Sequence, residues 1–446
     1  MKKYKRKNIY VLLLILLCSL GIGYAFLRTE LSINGTADFL DARWDIHFAN
    51  LVVNPNSVEL STGNTAATIS ASTTEVTYAV TLKEPGDFYE FTVDAVNAGT
   101  IDGMIDTISS KMGGVEITNL PAYMEYSVTY SDGIALDVNQ YLKAGELETY
   151  KVHVGFKKDI SASDLTGQVE SKTFSFNVTY VQADENAFVR AKTFADDDWD
   201  TILTNIQRNN SCGPYHLGNT REINIGSYGT HSLRIANCST PPECYNEGFS
   251  QTACGIVLEF ADIISFHEMN PSGEYNGKTY NYGWNVDGWP ASSMREYVNN
   301  NIYNALPTEI KNAIVDTTVV SGHSDTSGET NFTSIDKLYL LSTHEVWEDV
   351  DGNPNDGIDR YDTAYFNTRQ LDYYANLGVT LGVWIGRTYD GNYSGAVKKQ
   401  ITLNSSWWLR TPYSYDESFD TVRNDGIFAN SVANQFRGVS PAFRIG

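Results

Sequence analysis

Imidazole and thiol are scarce in this chain, and bases are outnumbered by acids. Seven His and five Cys stand among 446 residues. No Cys-x-x-Cys pair occurs and the cysteine spacings are wide, which argues against a structural zinc site. His267-Glu268-Met269-Asn270 lacks the second His of a zincin helix. No Gly-x-Ser-x-Gly elbow and no phosphate-cradling loop is present, and the His are too scattered for spacing to suggest a triad. Lys and Arg total 32 against 54 Asp and Glu, a net charge of −22. A chain this acidic repels phosphate backbones, so nucleic acid is excluded as a partner. The carboxylates could instead serve a hard cation.

The positive charge is concentrated at the start. Lys2, Lys3, Lys5, Arg6 and Lys7 precede an apolar run from Ile9 to Leu20, and small residues at Gly23 and Ala25 follow. This is the layout of an export signal over residues 1–25, with cleavage after Ala25. The alternative is an uncleaved transmembrane helix, because Ile9 to Leu27 approaches the ~20 apolar residues of a membrane span. Membrane contact is then expected through this segment alone. Bulky Leu17 before Cys18 argues against a lipoprotein. Without the five signal charges the remainder carries 27 − 54 = −27. Cys212, Cys238, Cys244 and Cys254 remain, an even set that reads outside the cell as two disulfides. There are three ways to pair them and spacing does not choose; Cys212–Cys238 with Cys244–Cys254 is the pairing expected.

Residues 26–182 alternate with period two. Val76, Tyr78, Val80 and Leu82 face one way, as do Tyr89, Phe91 and Val93, Tyr150, Val152 and Val154, and Phe174, Phe176 and Val178. Alternation of this kind, broken by Asn97-Ala98-Gly99, Ser131-Asp132-Gly133 and Lys143-Ala144-Gly145, predicts an all-β antiparallel sandwich. His47 and His153 fall within these strands and are expected to be ordinary sheet residues. The polar stretch 183–198, with Asp196-Asp197-Asp198, breaks the pattern and reads as a linker. Asp198 is placed to cap a helix from Trp199 with Ile202, Leu203 and Ile206 on one face.

Residues 199–446 mix short helices and strands, an α+β domain. Ser293 and Glu296 have capping-box spacing ahead of Val298 and Ile302, and so do Ser342 and Glu345 ahead of Val346 and Trp347. Pro307 suits the first turn of a helix carrying Ile310 and Ile314. Lys337 to Leu341 reads as a strand. Seven of eight Trp lie beyond residue 183. Trp407 and Trp408 are expected to pack, with Arg410 bonded to backbone or a carboxylate. Tyr413, Tyr415, Asp416, Glu417, Phe419, Arg423, Asn424 and Asn434 form a polar-aromatic turn region and are the candidate ligand-binding residues. Asp349, Asp351, Asn353, Asp356 and Asp359 could converge on calcium. Pro354 stands where an EF-hand needs Gly, so only a looser site would fit.

Two resemblances accompany these patterns. Tyr24-Ala25-Phe26-Leu27, Ile33-Asn34-Gly35-Thr36-Ala37 and Trp44-Asp45-Ile46-His47-Phe48 resemble the start of exported Gram-positive surface proteins of the camelysin and biofilm-matrix fibre group. Trp407-Trp408-Leu409-Arg410-Thr411-Pro412 and Gly438-Val439-Ser440-Pro441-Ala442-Phe443 resemble a secreted bacterial domain-of-unknown-function family, as does Ile256 to Asp262. The layout is similar to C-type-lectin-like domains, which implies a ligand surface on the closing strands and loops. Formylglycine-generating enzymes share that fold but use late cysteines, and no Cys follows Cys254 here. The joint expectation is a non-catalytic, exported cell-surface binding or adhesion protein for an extracellular glycan or protein. The alternatives are a structural matrix or filament subunit, or an extracellular enzyme with an unfamiliar site.

Overall fold

The computed structural model describes residues 42–60, 64–161, 174–323, 329–350, 362–382, 384–385, 388–413 and 417–446. The N-terminal segment read as signal or anchor lies outside them. Among the described residues no helix is long and apolar enough to cross a membrane.

Most of the alternating strands stack as two sheets, while Val76–Ala79 pairs with Thr65–Ile69 in a two-stranded sheet of its own. One runs in the order Ile46–Val53, Phe88–Asn97, Leu147–Phe156, Met124–Tyr130, all antiparallel. The other places Gly103–Met112 between Phe174–Gln182 and Val115–Glu116, with Tyr141–Leu142 also paired to it. Phe88–Asn97 shows why: every second side chain from Tyr89 to Asn97 is buried. Tyr89, Phe91, Val93, Tyr150, Val152 and Val154 join one core with Phe174, Phe176 and Val178 packed on it. His47 pairs with Asp45 (2.8 Å) and His153 with Glu90 (3.1 Å), so both are satisfied sheet residues.

A separate core runs from Ala191 to Ile445. Asp198 caps the helix Trp199–Asn209 through Thr201 N (2.7 Å), and Ile202 and Ile206 turn inward. Four antiparallel strands follow in the order Thr220–Asn224, Thr230–Asn237, Ile256–Phe260, Ala442–Ile445. A five-stranded sheet runs Ser265–His267, Arg437–Val439, Trp407–Pro412, Ser418–Val422, Phe428–Val432. The last residues thus belong to both sheets and tie them together. The domain is β-rich with short helices.

The disulfides are Cys212–Cys238 and Cys244–Cys254, as expected. Two local expectations need correction. Ser292, not Ser293, caps the helix at Ser293–Glu296, its Oγ accepting Arg295 N (3.1 Å). That helix continues through a π-helical stretch, Tyr297–Ile302. Lys337 to Leu341 is not a strand; the strand is Phe332–Asp336. Residues 338–341 are fully buried, but only Tyr339 makes a bridge, to Ala442. Leu341 O accepts Arg410 N (2.8 Å) from the strand Trp407–Pro412, and side chains meet other groups: Asn299 Oδ1 accepts Lys337 N (3.1 Å) and Leu338 N (3.0 Å), and the Arg410 guanidinium donates to Leu340 O (2.8 Å). The helix Thr343–Val346 forms where predicted, with Glu345 accepting Ser342 N (2.9 Å). Pro307 precedes the helix Thr308–Ala313, and Ile310 and Ile314 are buried.

Candidate functional site

The eight candidate ligand residues do not form one site. Phe419 is 0% exposed and belongs to the core. Both faces of the Ser418–Val422 strand are covered, so an aromatic residue there packs rather than recognises. Arg423 and Asn424 are exposed at the turn of the 418–432 hairpin, where Arg423 pairs with Asp425 (2.7 Å). Glu417 and Asn434 lie at the opposite end, linked through Ala433 N to Glu417 O (2.8 Å). A strand of five residues separates the ends by about 14 Å, too far for one small ligand. Tyr415 and Asp416 lie outside the described residues. So do Asp351, Asn353, Asp356 and Asp359, while Asp349 pairs within the short strand Glu348–Asp349 against Thr380–Leu381. Among the described residues no group of three or more His, Cys, Asp or Glu is placed to hold a metal ion.

Tyr413, Glu417 and Asn434 do meet a second aromatic segment, Tyr280-Asn281-Tyr282-Gly283-Trp284-Asn285. Asn285 Nδ2 donates to Tyr413 O (2.8 Å) and Ser418 O (2.7 Å). Asn434 N donates to Tyr282 O (2.9 Å), and its Nδ2 to Ser272 Oγ (2.9 Å). Gly283, at φ +81°, makes the approach possible: a Cβ there would lie 2.4 Å from Asn270 O and 2.9 Å from Ala433 Cβ. Tyr275 stacks on Trp284 with centroids 4.7 Å apart and planes 7° apart. Tyr275 also donates to Asp287 Oδ2 (2.9 Å), and burial together with that carboxylate pushes its phenol up to about 12.

Three features of this cluster are unusual for a packed core. Tyr282 is 54% exposed beside an otherwise packed group. The buried Trp284 indole N–H has no acceptor, and the Asn434 Oδ1 has no donor. Buried polar groups are nearly always paired, so an unmatched donor and acceptor beside an exposed ring point to recognition. Tyr282, Trp284 and Asn285 were not singled out by the turn-region reading. Their signal was the local alternation of aromatic residues with Asn and Gly.

Other polar groups serve the fold. Trp407 and Trp408 are fully buried, and Arg410 grips Glu345 with two 2.6 Å contacts, both residues 0% exposed. Glu259 takes Arg234 and Lys398 at 2.6 Å each; burial opposes its charge, but those cations hold it below the usual carboxylate range. An open cleft of about 510 Å³ is lined by Arg295, Asn299, Tyr303, Asp316 and Lys337. Four of its charges are already matched, Lys337 with Asp316 (3.0 Å) and Arg295 with Asp336 (2.6 Å). Asp362 and Asp420 are 2% and 0% exposed, so neither offers a carboxylate to a substrate.

Residues 260–446 match a family described as a domain of unknown function, DUF6273. That span contains the five-stranded sheet and the Trp284–Asn434 cluster. No curated protein and no solved structure gives a significant match to the chain.

Proposed function

We propose that this is an exported cell-surface binding protein whose β-sandwich carries a lectin-like module for a hydroxyl-rich ligand of the glycan class. The observation behind it is the cluster of Tyr282, Trp284 and Asn434. A sugar hydroxyl both accepts and donates, the two capacities that the buried indole N–H and the Asn434 oxygen leave unmatched. The exposed Tyr282 ring offers an apolar face for a pyranose. The two disulfides fit an oxidising compartment, and the acidity keeps an exported chain soluble. A glycan array and a host-matrix screen with the full chain test this. Hits are expected, with Tyr282→Ala and Asn434→Ala each weakening binding about tenfold while leaving the melting midpoint within a degree or two. A folded sample silent on both screens would end this reading.

One observation supports a filament or matrix subunit instead. Phe174–Gln182 pairs on one side only among the described residues, and its nine residues, FSFNVTYVQ, include no charge and no Pro. Edges are usually blunted by such residues, and here only a register shift at Thr179/Tyr180 does so. Electron microscopy of concentrated protein separates the two: fibres favour the subunit, and a strictly monomeric field opposes it.

A further inference from the structure

The interior of the five-stranded sheet holds oxygen atoms that the protein itself leaves unmatched. Asp420 sits mid-strand, 0% exposed, opposite Asn430 in register. Neither of its carboxylate oxygens has a hydrogen-bond donor. On the paired strand Trp407–Pro412, Thr411 Oγ1 donates to Asp362 (3.2 Å), which also accepts Ala364 N (3.0 Å) and the Thr343 hydroxyl. Arg410, the buried cation of that strand, is committed to Glu345. Among the described residues neither carboxylate forms an ion pair, since the guanidinium is taken by Glu345. Ser321 adds one more buried, unpartnered oxygen. Ser321 precedes Gly322, at which a Cβ would lie 3.0 Å from Asp362 Oδ1.

We propose that Asp420 and Asp362 form the charged wall of an interior site for a hard cation of the calcium class. Every orphan there is an oxygen, the ligand type hard cations require, and no thiol or imidazole is among them. A bound cation would supply the charge that Arg410 cannot and would lock the Ser418–Val422 strand to the segment around Thr343. The site is distinct from the acidic stretch 349–359 and does not depend on the ligand reading above.

The full chain, stripped with chelator and dialysed, is titrated with calcium chloride and with magnesium chloride. Metal content is read by mass spectrometry and the melting midpoint by calorimetry. One calcium per chain is expected, with a rise of roughly 5 °C at a hundredfold excess over Kd. An Asp351→Asn, Asp356→Asn double variant should keep both, and Asp420→Asn should lose both. Absence of metal from the wild type, loss in the double variant, or retention by Asp420→Asn overturns the proposal. Should Asp420→Asn not fold, metal content of the wild type and the double variant decides.

Discussion

Arg410 spends its charge inside the protein. Its guanidinium grips Glu345 with both ends and also reaches Leu340 O and Val320 O, so it joins three segments remote in sequence. Glu345→Ala would strand a buried cation, and a loss of about 3–5 kcal/mol is expected, read by urea denaturation. A loss under 1 kcal/mol would mean that the pair contributes little. Asp420 makes the opposite case. Burial, with the Asp362 charge added, raises it well above its ordinary value. The unfolded chain therefore ionises first. Stability from this group is complete below about pH 4 and falls as pH rises toward the folded value. Asp420→Asn should flatten that fall in chelator-treated protein. Parallel pH profiles for variant and wild type from pH 4 to 8 would contradict this assignment.

At the scale of elements, capping and crosslinks decide where the chain turns. Ser292 satisfies Arg295 N, so Ser292→Ala should cost about 1 kcal/mol while Ser293→Ala costs little. The one-residue slip from the predicted Ser293 arises because Gly288, Trp289 and Pro290 build a 3-10 turn that hands the cap to Ser292. The disulfides close loops of unequal length, with separations of 26 and 10 residues. Chain entropy predicts about 3.5 kcal/mol for Cys212–Cys238 and about 2.7 kcal/mol for Cys244–Cys254. Replacing the first pair with Ser should therefore lower stability more than replacing the second; the reverse order in matched denaturation curves would count against the entropic account. Residues 337–341 show the limit of periodicity. Their apolar run marks burial, but only Tyr339 and Leu341 bond to neighbouring strands, while Lys337, Leu338 and Leu340 bond to the side chains of Asn299 and Arg410.

Across the whole molecule the two cores meet through a charged and aromatic seam. Arg190 reaches Asp132 (2.6 Å) and Glu148 (3.4 Å) and lies over Tyr130, while Arg208 covers Phe188. Phe188 bridges Gln140 in the sandwich. Arg190→Ala should leave both cores folded but speed proteolysis between residues 183 and 198; unchanged cleavage would mean that the seam does not hold the domains. The residues expected to act as a loose linker are thus partly docked. The sandwich, the helix from Trp199, the Glu345 cap and the packing role of the two Trp were legible in the sequence. Each rests on local rules: alternation, capping residues and side-chain size act between near neighbours. The candidate site was only half legible. Tyr413, Glu417 and Asn434 were visible as a polar-aromatic turn, but Phe419 turned inward and Arg423 fell at the far end of a hairpin. Trp284 and Tyr282, more than a hundred residues away, completed the cluster. Only tertiary structure could decide this, because strand length sets which turns are neighbours, and sheet burial sets which side chains reach water.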